Sequence, residues 1–140
     1  MDLNPRDGMD NNTQNKIKIC RVYAPPKHKH GMWVLVDRLW PRGLKKDAIA
    51  FDLWLKEIAP STPLRQWFHQ DPQTRWSEFV KKYIHELHTN ASLIEPLLDK
   101  AQQTPVTLFY AAKDTQHNQA LILQAVLNSW PSPPEIESIK

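Results

Sequence analysis

The stretch Val34-Leu-Val-Asp-Arg-Leu-Trp-Pro-Arg-Gly43 determines how the rest of the chain is interpreted. Its apolar, β-branched start predicts a buried strand, and the Pro-Arg-Gly sequence at its end predicts a turn. Asp37 and Arg38 directly follow the apolar run, and Trp40 and Arg42 come next. Charged groups at the end of a buried strand are stable when they pair with each other or with a ligand. We therefore expect a functional site or a structural ion pair here.

The composition is that of a soluble globular domain. The 140 residues suffice for one domain with a real core, and the 41% hydrophobic and 24% charged fractions are ordinary. The net charge of +3 permits an anionic ligand but is too small to argue for nucleic acid by itself. No apolar segment approaches the ~18 residues that span a bilayer, and the polar N-terminus has no signal-peptide core. The sequence therefore predicts a cytoplasmic protein without a membrane partner.

The pattern of apolar and turn residues predicts a single domain. Residues 1–15 lack periodicity and are expected to form a disordered leader, residues 16–130 one α/β domain, and residues 131–140 a frayed, Pro-rich tail. Alternating or continuous apolar runs predict strands. These strands lie at 16–23, 32–37 and 105–112, and a fourth is favoured over a helix at 51–58.

Four helices are predicted from start signals and periodicity. Ser61 or Thr62 caps the first helix, and Asp71-Pro72 begins the second. A capping box at Ser92-Leu-Ile-Glu95 begins the third, and the last spans about Gln116 to Trp130. We expect an α/β fold: a small, mostly parallel sheet of about four strands flanked by about four helices. Its layering would be Rossmann-like, without a dinucleotide-binding fingerprint.

Two polar segments of the chain are candidates for a binding site. In α/β sheets, ligands bind beyond the carboxyl ends of the strands and near helix N-termini. One segment follows the second strand and the other joins the last strand to the last helix, so they converge on one cleft if those strands are neighbours. The candidate ligand-binding residues are Arg38, Trp40, Arg42, Lys113 and Asn118, and the candidate catalytic residues are Asp37, Asp114 and His117.

These residue types point to the recognition of an anion. Arg38 and Arg42 offer paired donors to a phosphate or carboxylate, and amides at the start of the last helix can add to the capture. Asp37 or Asp114 can orient an arginine or act as a base, and Asp114 can instead be a turn or capping residue. His117 can transfer protons near neutral pH.

A purely structural explanation stays open for several of these groups. Asp37 and Arg38 can form an ion pair that only holds the fold together. Trp40 can stack on a planar ligand, although a tryptophan in a turn after a strand is more often part of the core. Arg65 and Arg75 are expected to be solvated, although the loops that carry them could face the same cleft.

Several kinds of site are not predicted. Cys20 is the one cysteine of the chain, which excludes an internal disulfide and a multi-thiolate metal site, and we expect it to be a small buried hydrophobe. There is no Gly-rich phosphate loop and no nucleophile elbow. His28 and His30 have no neighbouring cysteine or carboxylate and are expected to be solvated. The sequence thus predicts neither a metal nor a cofactor.

Three functions are compatible with these observations. The leading hypothesis is a protein that binds an anionic small molecule, such as a nucleotide or phosphorylated metabolite, with enzymatic activity left open. A nucleic-acid-binding accessory protein is weaker, because its support is the pI of about 9.0 and a Lys/His loop without a basic helix face. The third is a non-catalytic interaction module with a structural Asp/Arg network. The oligomeric state is left open.

The motif at residues 34–43 resembles the YeaO-like family, a bacterial branch of the group called domain of unknown function 488. Further stretches match in order: Leu53-Trp-Leu-Lys-Glu-Ile-Ala-Pro-Ser61, Leu64-Arg-Gln-Trp-Phe68 and Val106-Thr-Leu-Phe-Tyr-Ala-Ala-Lys-Asp114. The resemblance implies a small α/β domain whose signature is these polar strand-end stretches. The wider group is similar in sequence but carries cysteines near the last strand. Tyr110 and Asn118 stand there in this chain, so the resemblance does not imply thiol chemistry.

Overall fold

The computed structural model describes residues 17–139. The predicted leader at 1–15 lies outside these residues. The strands are β1 (Ile17–Arg21), β2 (Met32–Leu35), β3 (Leu53–Trp54) and β4 (Val106–Tyr110), and the helices are α1 (Thr62–Gln70), α2 (Pro72–Thr89), α3 (Ala91–Gln103) and α4 (Gln119–Ser129). Two 3₁₀ helices span Lys56–Ile58 and Ile136–Ile139. The predicted α/β class is confirmed.

The four strands form one all-parallel sheet in the order β1-β4-β2-β3. The strand β4 is buried at all five positions, as expected for a parallel strand covered on both faces. It lies directly beside β2, and the pairing continues past the end of β2, where the Val36 amide donates to the Phe109 carbonyl at 3.0 Å. The segments that follow β2 and β4 therefore begin side by side.

The two faces of the sheet are covered in different ways. One face carries Val34, Leu108 and Tyr110, and the buried residues of all four helices pack in the same cluster. The other face carries Trp33 and Phe109, whose ring centroids are 4.9 Å apart. It is covered by the loop between β2 and β3, which contributes no helix but a set of apolar side chains: Trp40, Leu44, Ile49 and Phe51.

Two glycines with a positive φ, one before β2 and one after it, set the course of the backbone around this strand. Gly31, immediately before β2, has a φ of 78°, a conformation that costs little only for glycine. The next amide, on Met32, donates to the Pro105 carbonyl at 2.8 Å and begins the pairing of β2 with β4. Gly43, at the end of the opening motif, also has a φ of 78°.

Several element boundaries differ from the predictions. The segment 51–58 divides between the two alternatives, with the short strand β3 followed by the 3₁₀ helix Lys56–Ile58. The capping box predicted at Ser92 is wrong, because α3 begins at Ala91, after Asn90 ends α2. A single residue thus separates two helices, and Ser92 already lies in the first turn of α3.

The two ends of the last helical region also differ from expectation. The last helix begins at Gln119 rather than at Gln116, because Asp114 holds the preceding residues in a turn. After α4, the C-cap residue Trp130 stacks on His88 with a centroid distance of 4.6 Å, and Ile139, within the segment predicted as a tail, is buried against the helical cluster. Burial of these apolar groups keeps the tail on the domain.

No helix among residues 17–139 is long and apolar enough to cross a bilayer.

Candidate functional site

A cleft of about 1100 Å³ lies at the carboxyl ends of β2 and β4, and we call it the strand-end cleft. The loops after these strands form one side of it, and the end of α1 and the start of α2 form the other. All eight residues predicted as site candidates line it: Asp37, Arg38, Trp40, Arg42, Lys113, Asp114, His117 and Asn118. The structure therefore brings together the two segments that the sequence suggested, although they act in different ways.

Asp37 joins three parts of the fold. Its Oδ2 accepts a hydrogen bond from the Ala111 amide at 2.9 Å, and its Oδ1 accepts one from the Gln119 side-chain amide. The Trp54 indole donates to its carbonyl oxygen at 2.7 Å. Burial raises the pKa of this carboxyl to about 6, although the hydrogen bonds from Ala111 and Gln119 oppose the rise. Asp37 therefore holds the ends of β2 and β4 and the start of α4 in register.

Arg38 does not pair with Asp37. Its Nε donates to the Pro60 carbonyl and its Nη2 to the Ala59 carbonyl, both at 3.1 Å. Within residues 17–139 no carboxylate lies within ion-pair distance of its guanidinium. The structural ion pair considered from the sequence is thus absent. Arg38 is anchored at the edge of the cleft with its charge not neutralised by a partner in this part of the chain.

Arg65 is a cleft residue that was not among the predicted site candidates. It was expected to be solvated, but it lines the strand-end cleft from α1, and its Nε is buried without a hydrogen-bond partner among the described residues. The available signal was spacing, since Arg65 lies three residues before the apolar Phe68 and shares its side of the helix. Arg75 lies outside the lining and donates to the Trp67 carbonyl at 2.5 Å and the Gln70 Oε1 at 3.0 Å.

The loop before α4 is organised by Asp114. Its Oδ1 accepts from the Gln116 amide at 2.9 Å and the His117 amide at 3.1 Å, while Oδ2 lies 3.1 Å from the His117 Nδ1. These contacts, with the Gln116 hydrogen bond the largest, lower the pKa of Asp114. A turn-forming role, which the sequence left open, is therefore present, and His117 is positioned with its ring 5.0 Å from that of Trp76.

The Asn118 side chain is buried and makes its hydrogen bonds within the fold. It is 2% exposed, its Oδ1 accepts from the Leu121 amide at 3.1 Å, and its Nδ2 donates to the Asp114 carbonyl at 3.0 Å. This is an N-cap of α4. The contacts assign Asn118 to holding the helix start at the cleft, and its contact with a ligand stays a prediction.

Replacing Asn118 with alanine is expected to lower the free energy of unfolding by about 1–2 kcal/mol, because the cap is lost and buried partners are left unpaired. Urea unfolding measures the change. Asn128→Ala is the matched control, since Asn128 is exposed on the same helix and should change stability by under about 0.5 kcal/mol. Equal effects of the two substitutions would show that the cap contributes nothing.

The remaining predicted residues are at the edge of the cleft. The Trp40 indole donates to the Leu44 carbonyl at 2.6 Å, and its ring packs edge-on against Trp54 at 5.4 Å. Its contacts are those of a packing residue more than of a free stacking surface. Arg42 and Lys113 are exposed at the cleft.

The charge of the strand-end cleft is mixed but biased to positive. Four cations line it (Arg38, Arg42, Arg65, Lys113), against three aspartates (Asp37, Asp71, Asp114). Each of the three carboxylates accepts a hydrogen bond from within the chain: Asp37 from the Ala111 amide, Asp71 from the Thr74 hydroxyl and Asp114 from the Gln116 amide. Within residues 17–139 no group of three or more His, Cys, Asp or Glu side chains is placed to hold a metal ion.

Comparisons with known proteins place residues 16–132 in one family. They match the family model described as the inactive DUF488-N3 subclade. The chain is 44% identical to the uncharacterized protein YeaO of Escherichia coli (strain K12) over 113 residues, covering 81% of this chain and 97% of that protein. It is 38% identical to the uncharacterized protein Rv3073c of Mycobacterium tuberculosis, covering 82% and 96% of the two chains. No solved structure matches.

Proposed function

Because the chain belongs to the inactive DUF488-N3 subclade, as a YeaO-like protein, we propose that it is a non-catalytic binding protein for a small phosphate-bearing anion. The ligand, a nucleotide or a phosphorylated metabolite, occupies the strand-end cleft. The proposal combines a family described as inactive with a cleft that has cations and no activated nucleophile among its lining residues.

The observation that carries the proposal is the Nε of Arg65, which is buried without a hydrogen-bond partner among residues 17–139. A buried N–H without an acceptor costs about 1–3 kcal/mol, so a fold keeps one only where something compensates. A phosphate oxygen is the strongest available acceptor, because its hydrogen bonds to arginine are charge-assisted and paired. Arg38, held by two carbonyls at the edge of the same cleft, supplies a second fixed cation.

Other features of the cleft support anion binding over catalysis. The amino end of α4 borders the cleft through Asn118 and Gln119, and a helix N-terminus favours negative charge. Asp37 and Asp114, the candidate bases, are both engaged in hydrogen bonds that hold the backbone. Their roles are therefore to position the loops that carry the cations.

The proposal predicts that Arg65→Gln weakens binding of inorganic pyrophosphate or ribose 5-phosphate by at least tenfold. Loss of a hydrogen bond to a charged group costs about 1.5–3 kcal/mol, and 1.4 kcal/mol is tenfold in affinity. Isothermal titration calorimetry at low salt measures the change. Because the Nε of Arg65 has no partner among residues 17–139, the variant should keep its unfolding midpoint.

The matched control is Arg75→Gln, which removes the same charge outside the cleft and should leave the affinity unchanged. If none of pyrophosphate, ribose 5-phosphate and AMP binds wild type, or if both variants lose affinity equally, the proposal is wrong. A steep fall of DNA or RNA binding with salt, together with no small-anion binding, would favour the nucleic-acid alternative instead.

A further inference from the structure

The wall of the strand-end cleft opposite β2 and β4 is aromatic. Phe68 on α1 and Phe79 on α2 stack with ring centroids 4.2 Å apart, and Trp76 packs 5.9 Å from each of them. All three rings line the cleft. Phe68 and Phe79 are buried, while Trp76 is half-buried and so retains accessible ring surface.

An inorganic anion gains no binding energy from such an apolar wall. Apolar surface in a cleft contributes to binding only when the ligand covers it with apolar surface of its own, at roughly 25 cal/mol per Å². A phosphate or a phosphosugar buries polar oxygens there. A planar ring, by contrast, can stack on or pack edge-on against exposed aromatic side chains.

The aromatic and cationic groups alternate along the same elements. Arg65 lies one helical turn before Phe68 on α1, and both line the cleft. His117, from the loop before α4, approaches the Trp76 ring edge-on at 5.0 Å, and Lys113 lies in the same loop. A ligand in the cleft therefore meets a ring and a cation on each side.

The third feature is a set of uncharged hydrogen-bonding groups. Gln70, Gln73 and Gln119 line the cleft. The Gln70 Oε1 also accepts from Arg75, and the Gln119 side-chain amide also donates to Asp37. Amide side chains carry both donors and acceptors, which are the groups that read the edge of a heterocyclic base. The cleft volume of about 1100 Å³ is ample for a ligand of that size.

We propose that the ligand of the strand-end cleft is a nucleoside phosphate, with its base against the Phe68–Trp76–Phe79 wall and its phosphate at Arg65 and Arg38. This assignment rests on the proposed function and narrows it from any phosphate-bearing anion to one that also carries a planar heterocycle. No bond is made or broken.

The test compares three probes with one protein: AMP, ribose 5-phosphate and adenosine, by isothermal titration calorimetry. AMP is expected to bind at least tenfold more tightly than ribose 5-phosphate, since stacking on an aromatic side chain is worth about that factor or more. Adenosine should bind more weakly than AMP. Equal affinity for AMP and ribose 5-phosphate overturns this inference but leaves anion binding intact, whereas no binding of either phosphate overturns the proposed function itself.

A pair of variants separates stacking from stability. Trp76→Leu is expected to reduce AMP affinity by at least fivefold and to leave ribose 5-phosphate affinity unchanged. Trp67→Leu is the control, because Trp67 is also half-buried but lies outside the cleft, where Arg75 and Lys82 cover its ring at 4.8 and 4.2 Å. A uniform loss of affinity for both probes in Trp76→Leu would contradict the stacking role. The comparison of probes on wild type decides the question if the variant does not fold.

Discussion

Replacing Gly31 with alanine is expected to lower the free energy of unfolding by roughly 3 kcal/mol or more. A left-handed backbone costs a residue with a Cβ about 1–2 kcal/mol. In addition, a Cβ at Gly31 would lie 2.1 Å from the Pro105 carbonyl oxygen. That oxygen accepts the Met32 amide that begins the β2–β4 pairing, so the clash can be relieved only by moving the central strands, at a further cost of about 1–3 kcal/mol.

Gly43→Ala provides the control for backbone conformation alone. Gly43 has the same φ of 78°, but a Cβ there would meet nothing within 4 Å. We expect it to cost about 1–2 kcal/mol, and the difference between the two variants isolates the steric term. Urea unfolding followed by tryptophan fluorescence measures both. If the two substitutions lower the free energy of unfolding equally, the contact with Pro105 adds no steric cost.

Replacing Asp37 with asparagine is expected to change the difference in free energy of unfolding between pH 4 and pH 7.5 by about 2.5 kcal/mol relative to wild type. The pKa of Asp37 rises from its ordinary 3.8 to about 6 on folding, so the native state holds the proton more tightly than the unfolded chain. This contribution to stability is fully present below pH 3.8 and is lost as the pH rises through 6, at 1.36 kcal/mol per pH unit. Asparagine does not ionise, and the variant should therefore gain on wild type as the pH rises.

The measurement is the free energy of unfolding of both proteins at pH 4 and pH 7.5. Asp114→Asn is a control of opposite sign, because the pKa of Asp114 is lowered in the fold. Its contribution is present at neutral pH and is lost on acidification, so this variant should be less stable than wild type at pH 7.5 and converge with it at low pH. If the free energies of unfolding of wild type and Asp37→Asn change with pH in parallel, folding does not raise the pKa of Asp37.

The sequence predicted best those features that depend on residues close together in the chain. The apolar run before Asp37 predicted the strand end. The last helix, α4, begins at Gln119, three residues after its predicted start at Gln116, because the Asp114 turn competes with the helix. The convergence of the two polar segments was also predictable, since parallel strands place their carboxyl ends on one edge.

Partners far apart in the chain could not be predicted. Asp37 receives its hydrogen bond from Gln119, 82 residues away, and no local pattern connects them. The sequence suggested the adjacent Asp37 carboxylate as a partner of Arg38, but in the fold its guanidinium donates to the carbonyls of Ala59 and Pro60, 21 and 22 residues away. The covering of one sheet face by a loop likewise depends on how the whole chain crosses the sheet.

The strand order has a consequence for synthesis on the ribosome. The strands β1 and β2 are made early, but β4, the strand that lies between them, is complete only at Tyr110. Until then β2 can pair with the two residues of β3 alone, and β1 has no neighbour. Pairing across such long sequence separations is slow. In the nascent chain, β1 therefore stays unpaired and β2 keeps one unpaired edge until most of the chain has emerged. The domain thus folds late and as a unit, and protection of these strands by chaperones would matter most during that interval.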